Sequence, residues 1–186
     1  IFKNVETDIN NTSDKFQKDI DIIVEEKPTG QISIGAGIGT SGTSTAFGIA
    51  ENNFLGKGIK LDTNLMVSEE NIKGLFSYTK PNYNNSDKDL ILTFQSQETD
   101  RLNDFGYKSN DTGFMIGTNY EYLEDLYFSP KLSVFSESLT TSSSASSLLK
   151  KQEGSYFDTT IDYSFLYDKR DQSFRTTDGF LSFFNQ

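Results

Sequence analysis

The chain has 186 residues, of which 34% are apolar and 13% aromatic, and its formal net charge is -10. It contains neither Cys nor His, which excludes disulfides, thiolate nucleophiles, Ser/His catalysis and the common zinc sites. The acidic charge, without a basic cluster to neutralise phosphates, argues against a nucleic-acid partner.

Residues 1–28 predict two short strands of a water-soluble α+β unit. The strands cover residues 1–10 and 15–27 and are joined by a polar turn at 10–14. In the second strand Ile20, Ile22 and Val24 alternate with charged residues, as in a half-buried edge strand. Because two strands do not form a stable domain alone, we expect the end of a domain whose front half is missing.

No run anywhere in the sequence approaches the roughly 18 apolar residues of a membrane helix.

Residues 30–58 predict a hairpin closed by a glycine-flanked corner. Between Ile32 and Ile38, apolar residues alternate with Ser and Gly, which is the period-two pattern of a strand. After a turn predicted at Thr43 and Ser44, a second alternating strand folds back on the first.

Seven further alternating segments follow, for about nine strands in all and no helix-period segment. Aromatic residues collect near the strand ends, where membrane barrels place them at the lipid–water interfaces. A soluble β-sandwich or lectin-like sheet gives the same alternation and stays open on pattern alone. The low-complexity connector 139–154 is predicted to be mobile. The seven segments start near Ile59, Ile72, Leu90, Phe114, Leu132, Phe157 and Phe180.

Two motifs resemble those of the BamA-type outer-membrane assembly proteins. The first resembles the DNFLGxG signature between the second and third barrel strands of that family. The second resembles the family's YDxRDxxxxPTxG turn between the eighth and ninth strands, although Thr176 replaces the proline. The first motif comprises Asn53, Phe54, Leu55, Gly56 and Gly58. The second comprises Tyr167, Asp168, Arg170, Asp171, Thr177, Asp178 and Gly179.

The resemblance implies an all-β fold, an antiparallel transmembrane β-barrel of about sixteen strands of which about nine are present. Residues 1–28 would be the C-terminal part of the final POTRA domain, in the periplasm, and residues 29–186 the N-terminal half of the barrel in the bacterial outer membrane. The protein would fold and insert other barrels without covalent chemistry, so neither enzyme activity nor a cofactor or metal is expected. The implied partners are nascent outer-membrane β-barrel proteins, assembly-complex lipoproteins, periplasmic chaperones and outer-membrane lipid.

The resemblance also implies that the first barrel strand is a lateral gate, which opens and offers its edge to an incoming strand by β-augmentation. Glycine weakens a strand, so the glycines here could serve opening; alternatively, they let a crowded seam bend or make room for rings. The predicted gate strand comprises Gly30, Gln31, Ile32, Ser33, Ile34, Gly35, Ala36, Gly37, Ile38 and Gly39.

Alternative functions are a TamA-like or two-partner-secretion translocator and a passive porin-like barrel. The carboxylates of Asp168 and Asp171 could be calcium ligands or an acid/base pair, but without an oxygen-rich loop we interpret them as solvated turn residues. Arg170 and Asp171 are predicted to make a structural contact with each other near the turn.

Overall fold

The fold, known from a computed structural model that describes residues 2–11, 16–39 and 42–186, consists of two antiparallel sheets. Strands β1 and β2 form a two-stranded sheet, and β3 to β11 form a nine-stranded sheet in which each strand pairs with the next in the chain. The sequence predicted these nine strands. The bounds of all eleven strands are β1 (Phe2–Asn11), β2 (Lys18–Glu26), β3 (Gly30–Gly39), β4 (Gly42–Phe54), β5 (Ile59–Ser68), β6 (Asn71–Lys80), β7 (Asp89–Arg101), β8 (Tyr107–Leu123), β9 (Leu126–Thr141), β10 (Gly154–Asp168) and β11 (Leu181–Asn185).

The hairpin of β3 and β4 is tighter than the sequence indicates. The register places Ile38 opposite Thr43 and Gly37 opposite Ser44. Thr43 and Ser44 are therefore strand residues, and the prediction of a turn there is wrong, because small polar side chains are accommodated in a strand as readily as in a turn. The connection itself falls at residues 40–41, outside the described residues.

The two faces of the nine-stranded sheet differ in chemistry because side chains alternate along each strand. On one side, here called the aromatic face, Phe76 lies opposite Phe94, and Phe94 lies opposite Phe114. On the other, here called the polar face, Lys131 pairs with Asp162 at 3.4 Å, and the hydroxyls of Ser77 and Thr93 lie 3.2 Å apart. The alternation predicted from the sequence is thus present in the register.

The apolar part of the aromatic face is a band with a limit towards the end of β7. Beyond Phe94 and Phe114, the next pair across β7 and β8 is Ser96 and Thr112, whose hydroxyl oxygens are 2.8 Å apart. One step further, Lys108 donates to Glu98 at 2.7 Å. The outer ends of these long strands therefore carry polar and charged side chains on both faces.

The nine-stranded sheet is a single layer. Among the described residues, Ile59 and Ala145 are the buried apolar side chains, and the rings of the aromatic face stay about half exposed. Such a sheet has to be covered on its apolar side by something other than its own described residues, because exposed apolar area costs free energy in water.

The connectors lie at two rims. The first rim, where β3 begins, has the connectors 55–58, 81–88, 124–125 and 169–180. The second rim, at the opposite ends of the strands, has the described connectors 69–70, 102–106 and 142–153. Each rim includes both a two-residue turn and a long connector, so loop length does not separate the rims.

A short α-helix interrupts the connector predicted to be mobile. Helix α1 (Ser147–Lys151) is capped by Ser146, whose hydroxyl accepts a hydrogen bond from the N–H of Leu149 at 3.3 Å. The prediction that no helical segment interrupts the strands is wrong here, because one turn is too short to show a helical period in the sequence. Within the described ranges, no helix has the length and apolar character needed to span a bilayer.

The sheet of β1 and β2 has one apolar side. Ile9 lies opposite Ile20, and Val5 lies opposite Val24. All four side chains are exposed, with Ile9 at 61% and Ile20 at 60%. This side, here called the β1–β2 apolar side, has no cover among the described residues.

Candidate functional site

The predicted gate strand, β3, is an edge of the nine-stranded sheet. It pairs with β4, and no second partner is present among the described residues; β11, at the other edge, pairs with β10. Two apolar side chains of β3 are the most exposed of the aromatic face, Ile34 at 77% and Ile38 at 90%. An edge strand presents unpaired N–H and C=O groups that can pair with another chain.

Two of the four glycines of β3, Gly35 and Gly39, are not required by their described neighbours. A methyl group at Gly35 would make an ordinary contact with Cβ of Ala46 at 4.0 Å, and one at Gly39 would meet nothing within 4 Å. By contrast, a methyl group at Gly113 of β8 would overlap the ring of Phe135. Room for packed rings therefore explains a glycine in β8 but not Gly35 or Gly39.

The first motif forms a tight corner between β4 and β5. Leu55, Gly56 and Gly58 have left-handed backbones, with φ of 56°, 71° and 65°. The side-chain oxygen of Asn53 accepts a hydrogen bond from the N–H of Gly58 at 2.7 Å, and its carbonyl accepts from the N–H of Gly56 at 2.9 Å. Glycine adopts such conformations without steric cost, which accounts for two of the motif's positions.

This corner also holds the start of the edge strand. The backbone N–H and the side-chain amide of Asn52 both donate to the carbonyl of Thr29, each at 3.2 Å. Next to it, the carboxylate of Glu51, opposite Gly30 in the register, accepts from the N–H of Asn53 at 2.7 Å. The corner therefore fixes Thr29, the residue before β3. Within the described part of the chain, the rest of β3 is held by its backbone hydrogen bonds with β4.

The second motif begins with a bidentate ion pair. The Nε and Nη2 atoms of Arg170 donate to the two carboxylate oxygens of Asp168 at 2.8 and 2.7 Å. The predicted contact between Arg170 and Asp171 is therefore wrong, because the guanidinium reaches back to the last residue of β10. Two parallel hydrogen bonds fix the planar guanidinium more firmly than a single contact would.

The same motif closes through Asp171. Its carboxylate accepts from the hydroxyl of Thr177 at 2.6 Å and from the N–H of Asp178 at 3.2 Å. The hydroxyl of Thr177, with the backbone donors, lowers the pKa of the Asp171 carboxyl below its ordinary value. We expected Asp168 and Asp171 to be solvated turn residues from the sequence. Both carboxylates instead accept hydrogen bonds within the motif.

A glycine completes the closure. Gly179 has φ of 90°, and a Cβ there would collide with the carbonyl oxygen of Lys169. The N–H of Lys169 in turn donates to the carbonyl of Phe180 at 2.9 Å. The motif thus brings both ends of the connector 169–180 together.

The second motif is tied to the neighbouring turn of the first rim. The ammonium of Lys169 lies 2.5 Å from a carboxylate oxygen of Asp125, which raises the pKa of the lysine. The N–H of Asp168 donates to the carbonyl of the same Asp125 at 3.0 Å. The sequence did not identify the roles of Asp125 and Thr29, because their partners are distant in the chain. A signal for the turn was present, since Asp is a common turn residue and tolerates the left-handed backbone that Asp125 has, with φ of 62°.

Both motifs therefore lie at the first rim, where β3 begins, and both are structural closures rather than reactive centres. Within residues 2–11, 16–39 and 42–186, no three acidic side chains come together in a way that could hold a metal ion. The arrangement can fix loop ends and strand starts. The edge of β3 is the feature with which another chain could pair.

Comparison with known proteins gives a family match and a structural match. A family model described as the Omp85 superfamily domain matches residues 53–186. A solved structure, described as the crystal structure of BamA from Haemophilus ducreyi lacking POTRA domains 1-3, is similar to this chain with a TM-score of 0.72 and 22% identity. The similarity covers 99% of this chain and 38% of that chain. The nine-stranded sheet accordingly has the fold of part of the BamA β-barrel.

Proposed function

Because this chain belongs to the Omp85 superfamily, we propose that it is the first part of an outer-membrane barrel that folds and inserts other β-barrel proteins. The incoming protein, here called the client, would pair its strand with the edge of β3. The observation that carries this proposal is the exposed, singly paired edge of β3, whose Ile34 is 77% exposed.

The limits of the apolar band support placement in a bilayer. Rings of the aromatic face reach from Phe76 to Phe114 across three strands. Charged side chains return on this face at Glu98 and Lys108 towards the second rim and at Lys80 towards the first. A bilayer requires such a band on the outside of a barrel, with polar side chains inside and at the rims. A soluble sandwich would instead require a second sheet over the aromatic face.

The glycines of β3 support a role as a weak edge. Gly35 and Gly39 have room for a side chain, so their presence costs strand stability without relieving a clash. A lateral gate needs a seam that opens, and weak cross-strand contacts lower the free energy of opening. We propose that all of Gly30–Gly39 acts as the gate strand, anchored at its start by the bonds between Asn52 and Thr29.

For residues 1–28 we propose the C-terminal part of a periplasmic POTRA domain. The β1–β2 apolar side supports this, because Ile9 and Ile20 would need helices or further strands to cover them. A charged opposite side, with Lys3 paired to Glu25 at 2.7 Å, fits an aqueous compartment. Assembly-complex lipoproteins and periplasmic chaperones are proposed as further partners on the strength of the family alone.

Cysteine crosslinking in the full-length protein tests the proposal. The chain has no native Cys, so a cysteine replacing Ile34 is a unique probe in this segment. The matched control is Ile116→Cys on β8, which is 42% exposed on the same face but has a paired strand on each side, with Leu92 and Leu132 as its partners. During assembly of a client with a cysteine in its terminal strand, Ile34→Cys should form a disulfide with the client and Ile116→Cys should not. Equal crosslinking at both positions, or none at Ile34→Cys while the client still folds, would reject β3 as the client-pairing edge.

A further inference from the structure

An apolar groove lies on the aromatic face next to the first rim. Its volume is about 430 Å³. The apolar walls come from four strands, β7 to β10, and Ile161 at one end is 75% exposed. The residues that line it are Leu90, Ile116, Thr118, Pro130, Leu132 and Ile161, together with Gly117 and Lys131.

The groove exists because two small side chains sit at one level between large ones. The register places Ile116 opposite Leu132 and Tyr120 opposite Phe128, so Thr118 and Pro130 share the level between these two pairs on the same face. Pro130 also lacks an N–H, which removes a donor from the ladder of β8 and β9. The groove is therefore a property of the strands themselves and not of a loop conformation.

Two lysines lie at the rim end of this groove. The ammonium of Lys88, two positions before the groove residue Leu90, lies 4.6 Å from the centroid of the Tyr120 ring. That of Lys80, opposite Leu90 in the register, lies 5.6 Å from the centroid of the Tyr83 ring. Both cations are thus positioned by rings at the edge of an apolar surface.

Neither lysine has an acidic partner in the part of the chain that the structure describes. Asp87 and Asp89 flank Lys88 in the sequence, but no ion pair joins either to Lys88 or to Lys80. Lysines elsewhere do have such partners, for example Lys108 with Glu98 and Lys169 with Asp125. In a chain of net charge -10, two adjacent cations without carboxylates form a local anion-attracting site.

We propose that this groove and its two lysines bind an anionic glycerophospholipid. An acyl chain would lie along Thr118 and Pro130, and the headgroup phosphate would contact Lys80 and Lys88. The charge and the groove are complementary to the two ends of such a lipid. Tyrosine rings at the boundary are amphipathic and occupy the headgroup level of a bilayer.

The proposal rests on the membrane placement given above, because the aromatic face must contact lipid. If β1 and β2 are periplasmic, the first rim faces the periplasmic leaflet. We therefore commit to a glycerophospholipid rather than to lipid A of the opposite leaflet.

Native mass spectrometry of the detergent-solubilised full-length protein tests the site. The probes are phosphatidylglycerol and phosphatidylcholine with identical palmitoyl and oleoyl chains, titrated separately. Each lysine near a membrane surface contributes about a fivefold gain in affinity for anionic lipid. With two lysines, we expect phosphatidylglycerol to bind about 25-fold more tightly than phosphatidylcholine, and Lys80→Ala with Lys88→Ala to remove that preference.

The matched control is Lys150→Ala with Lys151→Ala, which removes the same charge from α1 at the second rim and should leave the preference unchanged. The variant with Lys80→Arg and Lys88→Arg keeps both charges and should retain the preference. Thr118→Leu fills the groove and should weaken the binding of both lipids. Folding of every variant is checked by its shifted mobility in unheated SDS gels. Equal binding of the two lipids, retention of the preference in the Lys80→Ala and Lys88→Ala variant, or tighter binding of lipid A than of phosphatidylglycerol would overturn the proposal. Failure of the folded protein to float with lipid vesicles would instead refute the membrane placement itself.

Discussion

The carboxylate of Asp171 accepts hydrogen bonds from both the hydroxyl and the backbone N–H of Thr177, at 2.6 and 3.1 Å. This pair closes the connector 169–180 across six positions of the chain. The closure brings β11 back beside β10 at the first rim, where Tyr167 and Phe180 meet edge to face at 5.6 Å.

Asp171→Ala should destabilise the folded barrel, because the donors of Thr177 and Asp178 lose their acceptor. The measurement is the temperature at which the shifted SDS-gel mobility is lost. Asp87→Ala provides the control, since Asp87 lies in another first-rim connector and its carboxylate makes no hydrogen bond or ion pair with any described residue. Equal melting of the two variants would mean that the Thr177 contact contributes nothing.

Acidification should remove the advantage that Asp171 provides. Its pKa is lowered in the folded protein, so the stabilisation is complete above the ordinary carboxyl pKa of about 3.9 and is lost as the pH falls through the lowered value. We expect the melting difference between wild type and Asp171→Asn to be constant from about pH 7 to about pH 5 and to shrink below the ordinary pKa. A difference that is unchanged down to the acid limit, or one that grows, would contradict this assignment.

Asn53→Ala should weaken the first motif, because the N–H of Gly58 loses its acceptor at 2.7 Å. The expected loss is about 1 kcal/mol of unfolding free energy, measured by denaturant titration in detergent. Asn53→Asp keeps an acceptor at the same position and should unfold close to wild type. If both variants lose the same stability, the hydrogen bond to Gly58 is not the reason for the motif.

The strand pattern of the nine-stranded sheet could be predicted because side chains alternate with period two wherever a sheet separates two environments. Phe157, Ile161 and Phe165, placed together by that pattern, do share the aromatic face. The period also assigned the second strand, β4, although it misplaced the turn at Thr43 and Ser44. The alternating side-chain pattern therefore identifies the two faces of a strand well but locates the ends of the strand poorly.

The closures of the first rim could not be predicted in detail because they join residues that are distant in the chain. Arg170 has carboxylates on both sides, Asp168 and Asp171, and only the geometry decides that it pairs with Asp168. Lys169 finds Asp125 on a different hairpin. The motifs identified where the chain closes, whereas the partners depended on how hairpins sit beside one another.

Gly35→Val should slow client assembly while leaving the folded barrel intact. Valine favours strands over glycine by up to about 1 kcal/mol, which would reduce the rate about fivefold if β3 must open. Gly74→Val in β6 is the matched control, because a Cβ there meets Ser96 O at 3.9 Å, close to the 4.0 Å contact at Gly35. Folding of a barrel client into proteoliposomes measures the rate. Equal rates in both variants would assign the β3 glycines to something other than opening.

A register map of β3 against the client shows whether the client's strand pairs with β3. Single cysteines replace Ile32, Ile34, Ala36 and Ile38, which share one face of β3, and each is paired with cysteines along the client's terminal strand. If the client adds a strand to β3, each two-residue step along β3 must move the preferred crosslink by two residues along the client. We expect this stepwise map. Crosslinks that fail to move with position, or that are absent while the client folds at the normal rate, would contradict it.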